Sequence, residues 1–140
     1  YNSYLYNLIK YNTKIISIKF GLDKNNEKFY KDTFRNKEIL HKTFKKINQL
    51  NNYTIEKNII FFVNIIPDFR YLNNYPFLKE EDILINFLKN KDISYVQGIE
   101  YLKNKKSEEY WVSKNDPHPN EMGHRLIANY LKKYLKEILF

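Results

Sequence analysis

The sequence predicts an α/β fold of the doubly wound kind. Two observations lead there. Helical and extended stretches alternate as helix, strand, helix, strand, helix. The segment Asn58–Ile66 also carries a nearly continuous apolar run of Ile, Phe and Val. That is the pattern of a strand buried on both faces of a parallel sheet.

Each element can be justified in chain order. Ser3 to about Tyr11 reads as a short helix capped by Ser3, with Leu5, Leu8 and Ile9 on one face. Ile15–Phe20 reads as extended, and the polar stretch Gly21–Tyr30 as a loop. A helix is expected from about Asp32 to Leu50, because Leu40, Phe44 and Ile47 recur at three- and four-residue spacing, with Asn51 and Asn52 ending it. The strand Asn58–Ile66 follows, stopped by Pro67, and Asp68–Phe77 is an aromatic-rich loop. Glu80–Leu88 is expected to be a helix with Ile83, Leu84, Phe87 and Leu88 inward and Glu80, Glu81 and Asp82 at its positive start. Ile93–Val96 is a second strand, Gly98–Leu102 a single helical turn, and Lys103–Asn115 a loop. The last helix runs from about Asn120 to Ile138, with Met122, Leu126, Ile127, Tyr130, Leu131, Tyr134, Leu135 and Ile138 along one broad side. Two strong strands are few for a free-standing sheet, so more are expected upstream of Tyr1.

Composition narrows the function. At 140 residues the chain is one domain or part of one, and 43% hydrophobic with 17% aromatic content is enough for a core. The absence of cysteine excludes a disulfide framework, a Cys nucleophile and thiolate metal sites. The net charge is +8, but its 21 Lys are spread along the chain and only three Arg are present. Arg is the residue suited to bidentate phosphate and base contacts, so nucleic acid is not the expected partner. With 19 Asn, the Lys excess fits A/T-biased coding. The longest apolar run, Ile59–Ile66, is interrupted by Asn64 and falls far short of the roughly 20 residues of a membrane span. No signal peptide is visible; the chain starts in mid-pattern at Tyr1, so the compartment stays open between cytoplasmic and exported.

The stretch that carries chemistry is Asn115-Asp116-Pro117-His118-Pro119-Asn120-Glu121-Met122-Gly123-His124. It lies between the second strand and the last helix, on the side of an open parallel sheet where ligands bind. Pro117 and Pro119 restrict the backbone around His118, a stiff mount for a general base. An imidazole has the right pKa to take a proton from a serine hydroxyl, and a neighbouring carboxylate would fix its tautomer. Asn120 is placed to cap the last helix. Read as local chemistry alone, the same stretch is equally a turn followed by a helix cap. His124 beside Asp116 and His118 suggests a metal, but zinc needs three or four converging ligands, so packing or hydrogen bonding beside the site is the expected role and neither metal nor cofactor is expected. His41 is expected in solvent. Tyr110 and Trp111, just before the motif, are placed either to wall a pocket or, as the default for aromatics in this chain, to pack in the core. Arg70, after Pro67, is placed either to touch substrate or simply at the surface.

The set Asp116-x-His118-Pro119-Asn120-x-x-Gly123-His124-x-x-Ile127-Ala128-x-x-Leu131 resembles the last block of the SGNH/GDSL-type serine hydrolases. The likeness reaches back through the strand ending in Pro67 and the elements after it. It covers residues 57–140 well and the first third poorly. It implies a flavodoxin-like three-layer α/β/α fold with a mostly parallel sheet, of which residues 1–140 form the C-terminal part of one domain, incomplete at the N-terminus. It implies acyl chemistry, in which a serine attacks the acyl carbon, His118 accepts its proton and Asp116 orients His118. The oxyanion would be held by the backbone at the serine and by a Gly and an Asn from other blocks. The Gly-Asp-Ser block is absent: Ser3, Ser17, Ser94, Ser107 and Ser113 all lack its context, and no Gly-x-Asn-Asp-like block is present. The nucleophile is therefore expected upstream of Tyr1, and this chain alone is expected to be inactive. The commoner Asp-x-x-His spacing would put Asn115 at the acid position, whereas Asp-x-His resembles some O-acetyltransferase-like relatives. The expected activity is hydrolysis of a small-molecule ester or an acylated carbohydrate or lipid. The alternatives are an O-acyltransferase of the same fold, a non-catalytic α/β domain and a basic surface-binding module.

Overall fold

The structure, a computed structural model, describes residues 9, 11–13, 25–113 and 116–139, without the side chains of 25, 26, 138 and 139. Ile9 and Tyr11–Thr13 are helical, but Ser3 and most of the first expected helix, the extended piece Ile15–Phe20, Ser17, Asn115 and the side chain of Ile138 lie outside the described residues.

Helix α1 spans Asn25–Arg35 and helix α2 spans Lys37–Glu56. Both correct the sequence reading. The polar stretch up to Tyr30 is helical from Asn25, held in part by a Lys31–Glu27 pair at 2.6 Å one turn apart. The single helix expected from Asp32 is broken at Asn36, whose Oδ1 accepts the backbone N–H of Glu38 (3.0 Å) and Ile39 (3.1 Å). A side chain that satisfies the first free donors starts a new helix. Asn51 and Asn52 do not end α2. It stops at Lys57, after which Asn58 takes φ 54°, a left-handed conformation that asparagine tolerates.

Strand β1, Phe62–Ile65, pairs in parallel with β2, Ser94–Gln97, in the register Phe62↔Ser94 to Ile65↔Gln97. Ordered strand is thus half of the apolar run, and Ile59, Ile60 and Ile66 are exposed, so this strand is not buried throughout. Alternation along the pair sorts its side chains. Phe61, Val63, Ile65 and Tyr95 join Ile85, Leu88, Ile93 and Ile47 on one face. Phe62 and Val96 join Phe69, Leu72, Ile127 and Tyr130 on the other. Helix α3, Leu78–Asn90, covers the first face together with α2, through a Phe44–Phe87 stack at 4.1 Å. Its inward residues are Glu81, Ile85 and Leu88, whereas Ile83, expected inside, is exposed. The single turn α4, Ile99–Leu102, appears where expected. Gly98 before it has no room for a side chain: a Cβ would lie 2.8 Å from the Ile65 carbonyl and 2.9 Å from Pro67.

Lys103–Asn115 is not simply a loop. It holds a helical turn α5, Ser107–Tyr110, and strand β3, Trp111–Ser113. Asp116–Pro119, expected as a loop, is strand β4, antiparallel to β3, with Trp111↔Pro119 and Ser113↔Asp116 paired around a bulge. Prolines at 117 and 119 cannot donate to a ladder, which is why the segment reads as a turn; a two-stranded ribbon tolerates them at its edge. Helix α6, Glu121–Leu139, closes the second face. The molecule is thus a mixed α/β protein with one parallel and one antiparallel strand pair among the described residues. No described helix is long and apolar enough to cross a membrane.

Candidate active site

The site is mounted on β4. Side chains two apart on a strand point the same way, so Asp116 and His118 stand side by side. Asp116 Oδ1 lies 2.5 Å from His118 Nδ1 and also accepts the His118 backbone N–H at 3.2 Å. A carboxylate only accepts, so Nδ1 carries a proton, and in the neutral imidazole the lone pair is then on Nε2. The bond to His118 holds the Asp116 carboxyl below the ordinary aspartate range. Ser113 Oγ accepts the Asp116 backbone N–H at 3.1 Å, which ties the dyad to β3. The pair is open to solvent: 84% of the His118 side chain and 49% of the Asp116 side chain are exposed.

Behind the dyad the motif is a structural knot. The Asn120 backbone N–H donates to the Tyr110 carbonyl (2.9 Å), and its Nδ2 donates to the carbonyls of Glu109 (3.0 Å) and Trp111 (2.9 Å). Its Oδ1 accepts the Gly123 N–H at 3.0 Å, the cap expected from the sequence. Gly123 lets the start of α6 press against this loop: a Cβ there would lie 2.5 Å from the Tyr110 carbonyl and 2.8 Å from Pro119. Asn120 and Gly123 are therefore explained by folding, while Asp116 and His118 are not.

The dyad borders an open cleft of about 360 Å³ lined by Tyr30, residues 66–70 and residues 117–119. Residues 66–70 follow directly on the carboxyl end of β1, the position where open α/β sheets bind ligands. Within them Asp68 caps the short 3₁₀ turn Phe69–Tyr71 by accepting the Arg70 N–H at 3.0 Å. The Arg70 Nε lies 3.0 and 3.1 Å from the two Asp68 carboxyl oxygens, and Nη2 lies 2.5 Å from Oδ2. Tyr30, within the stretch read as a loop, stacks on Phe77 at 4.9 Å and walls the cleft. Burial, and next the Asp68 charge, push its hydroxyl pKa up, so it remains a donor.

Other sequence candidates fall away from the cleft. Ser107 is buried and accepts the Leu72 N–H at 3.2 Å, and Ser94 is exposed. None of the described serines lines the cleft. His41 is exposed, as expected, and Tyr110 and Trp111 pack against the core. His124 is exposed, and no three His, Cys, Asp or Glu among the described residues converge as metal ligands. Sequence reasoning missed Tyr30, Asp68 and Ser113. The spacing Pro67-Asp68-x-Arg70 was the available signal for Asp68, because an Asp two residues before an Arg at a turn can cap and pair at once.

Compared with known proteins, the chain matches no family model, no curated protein and no solved structure.

Proposed function

We propose that the chain carries the acid–base half of a serine-dependent ester hydrolase with the SGNH/GDSL-like, flavodoxin-like three-layer arrangement. One observation carries this reading: Asp116 and His118 form an oriented, hydrogen-bonded pair that is exposed at the rim of a cleft and that packing does not require. In this reading the nucleophile is a serine outside the described residues. His118 Nε2 removes the proton from the serine hydroxyl as its oxygen bonds to the acyl carbon. Asp116 stabilises the resulting imidazolium, which returns the proton to the departing alkoxide. Water then repeats the sequence on the acyl-enzyme and releases the acid. The substrates in view are small esters, or acylated carbohydrates or lipids.

A fluorophosphonate probe tests this on the full-length gene product. Covalent labelling of one serine is expected, and His118→Ala should abolish it while the far-ultraviolet circular dichroism stays the same. Labelling that survives His118→Ala, or a folded full-length protein that never labels, would leave the fold without the chemistry.

A further inference from the structure

We propose that Arg70 is the specificity residue of the cleft: the guanidinium edge that no described residue occupies binds a carboxylate carried on the acyl group of the substrate. The reaction in this inference rests on the hydrolase reading, whereas the anion site does not.

The bonds that Arg70 already makes support it. Asp68 approaches along the Nε–Nη2 side, accepting from both nitrogens. A guanidinium has five N–H donors, so the Nη1–Nη2 end keeps its fork, the geometry that takes a carboxylate with two parallel bonds. Asp68 is turned almost wholly inward, its side chain 4% exposed, while Arg70 keeps 22% of its side chain accessible and lines the cleft. The Tyr71 ring under the guanidinium, 5.7 Å from centroid to Cζ, restrains it further. A nearly buried carboxylate thus fixes an arginine that lines the same cleft as His118.

The rest of the cleft fits an acidic ligand. Tyr30 presents a hydroxyl donor, and Pro67, Pro117 and Pro119 supply apolar walls for the carbon chain. The lining carboxylate, Asp68, is engaged by Arg70, and Asp116, next to the lining residues, is engaged by His118. The net charge of +8 would steer an anion toward the protein.

Two measurements separate the site from the reaction. In the first, the isotope-labelled full-length gene product is titrated with succinate and followed by NMR at Tyr30, Arg70 and His118. Saturable shifts are expected, with affinity about tenfold weaker in Arg70→Gln and an intermediate loss in Arg70→Lys. Because Arg70→Gln leaves Asp68 buried without its partner, Asp68→Asn/Arg70→Gln provides a second variant in which no charge is stranded, and the same weakening is expected. A folded protein with no saturable shift, or succinate affinity untouched by all three variants, would overturn the assignment. In the second, the full-length gene product is given mono-4-nitrophenyl succinate and 4-nitrophenyl acetate. The expected ratio of kcat/KM favours the succinate ester by about tenfold or more and falls toward one in Arg70→Gln. Turnover of both esters without preference would overturn the role of Arg70 and leave the hydrolase standing. Succinate binding with turnover of neither ester would do the reverse.

Discussion

Two carboxylates, Glu81 and Asp116, are placed in opposite circumstances. Glu81 on α3 is 4% exposed and fully satisfied: the Tyr75 hydroxyl donates to one oxygen, and Gln97 Nε2 donates to the other at 2.8 Å. Burial pushes its pKa up, with the two donors working against that rise. Asp116 is half exposed, and its pKa is lowered by His118. The first locks α3 to the end of β2 and is remote from bulk water. The second costs little to keep charged, and its partner among the described residues is itself a proton carrier. The contrast teaches where protons can move in this molecule. A buried, saturated carboxylate stabilises one arrangement, whereas an exposed carboxylate bound to an imidazole is free of that burden and is the one to which the proposed function gives a part in proton transfer.

The comparison can be sharpened by breaking each side. The largest effect on stability is expected from Glu81→Ala, which takes the buried acceptor away from the half-buried Tyr75 and Gln97 donors; unfolding in urea should show a loss of about 3 kcal/mol. A loss below about 0.5 kcal/mol would mean that the network is incidental. Asn120→Ala removes a helix cap and two donors at once, and about 2 kcal/mol should be lost by the same assay. Glu81→Gln is milder and depends on pH. With the folded pKa raised, the stabilisation from Glu81 is complete below the unfolded-state value and is lost as pH rises through the folded value. Wild-type stability should therefore decline relative to Glu81→Gln as pH rises above the ordinary glutamate range, by roughly 1 kcal/mol for each unit by which the pKa is raised. Parallel curves for the two proteins would contradict the burial argument.

How far the sequence disclosed this arrangement follows from the kind of signal each residue gives. The last helix, the parallel pair and the turn at Ile99–Leu102 were legible because apolar periodicity reports burial directly. The break at Asn36 and the helix from Asn25 were not, because a side chain bonding to its own backbone leaves no periodic trace. Asp116–Pro119 was misread as a loop because proline argues against strands in general, and only pairing with Trp111–Ser113 overrules it. Within the site, residue type and spacing left Asp116 and His118 equally readable as part of a turn, and the resemblance of the whole block singled them out; the structure brings the two side chains into contact. Tyr30 and Asp68 reach the cleft through tertiary folding and long-range packing, which local pattern does not encode.

The central claim is that the Asp116–His118 pair serves proton transfer rather than folding. The most direct test is the hydrolysis of 4-nitrophenyl acetate by the full-length gene product and by its His118→Ala variant, with thermal melting recorded alongside. A fall in kcat/KM of about 10³-fold or more with an unchanged melting temperature is the expected result. Equal turnover in the two proteins, or a variant that loses activity only because it melts, would contradict it.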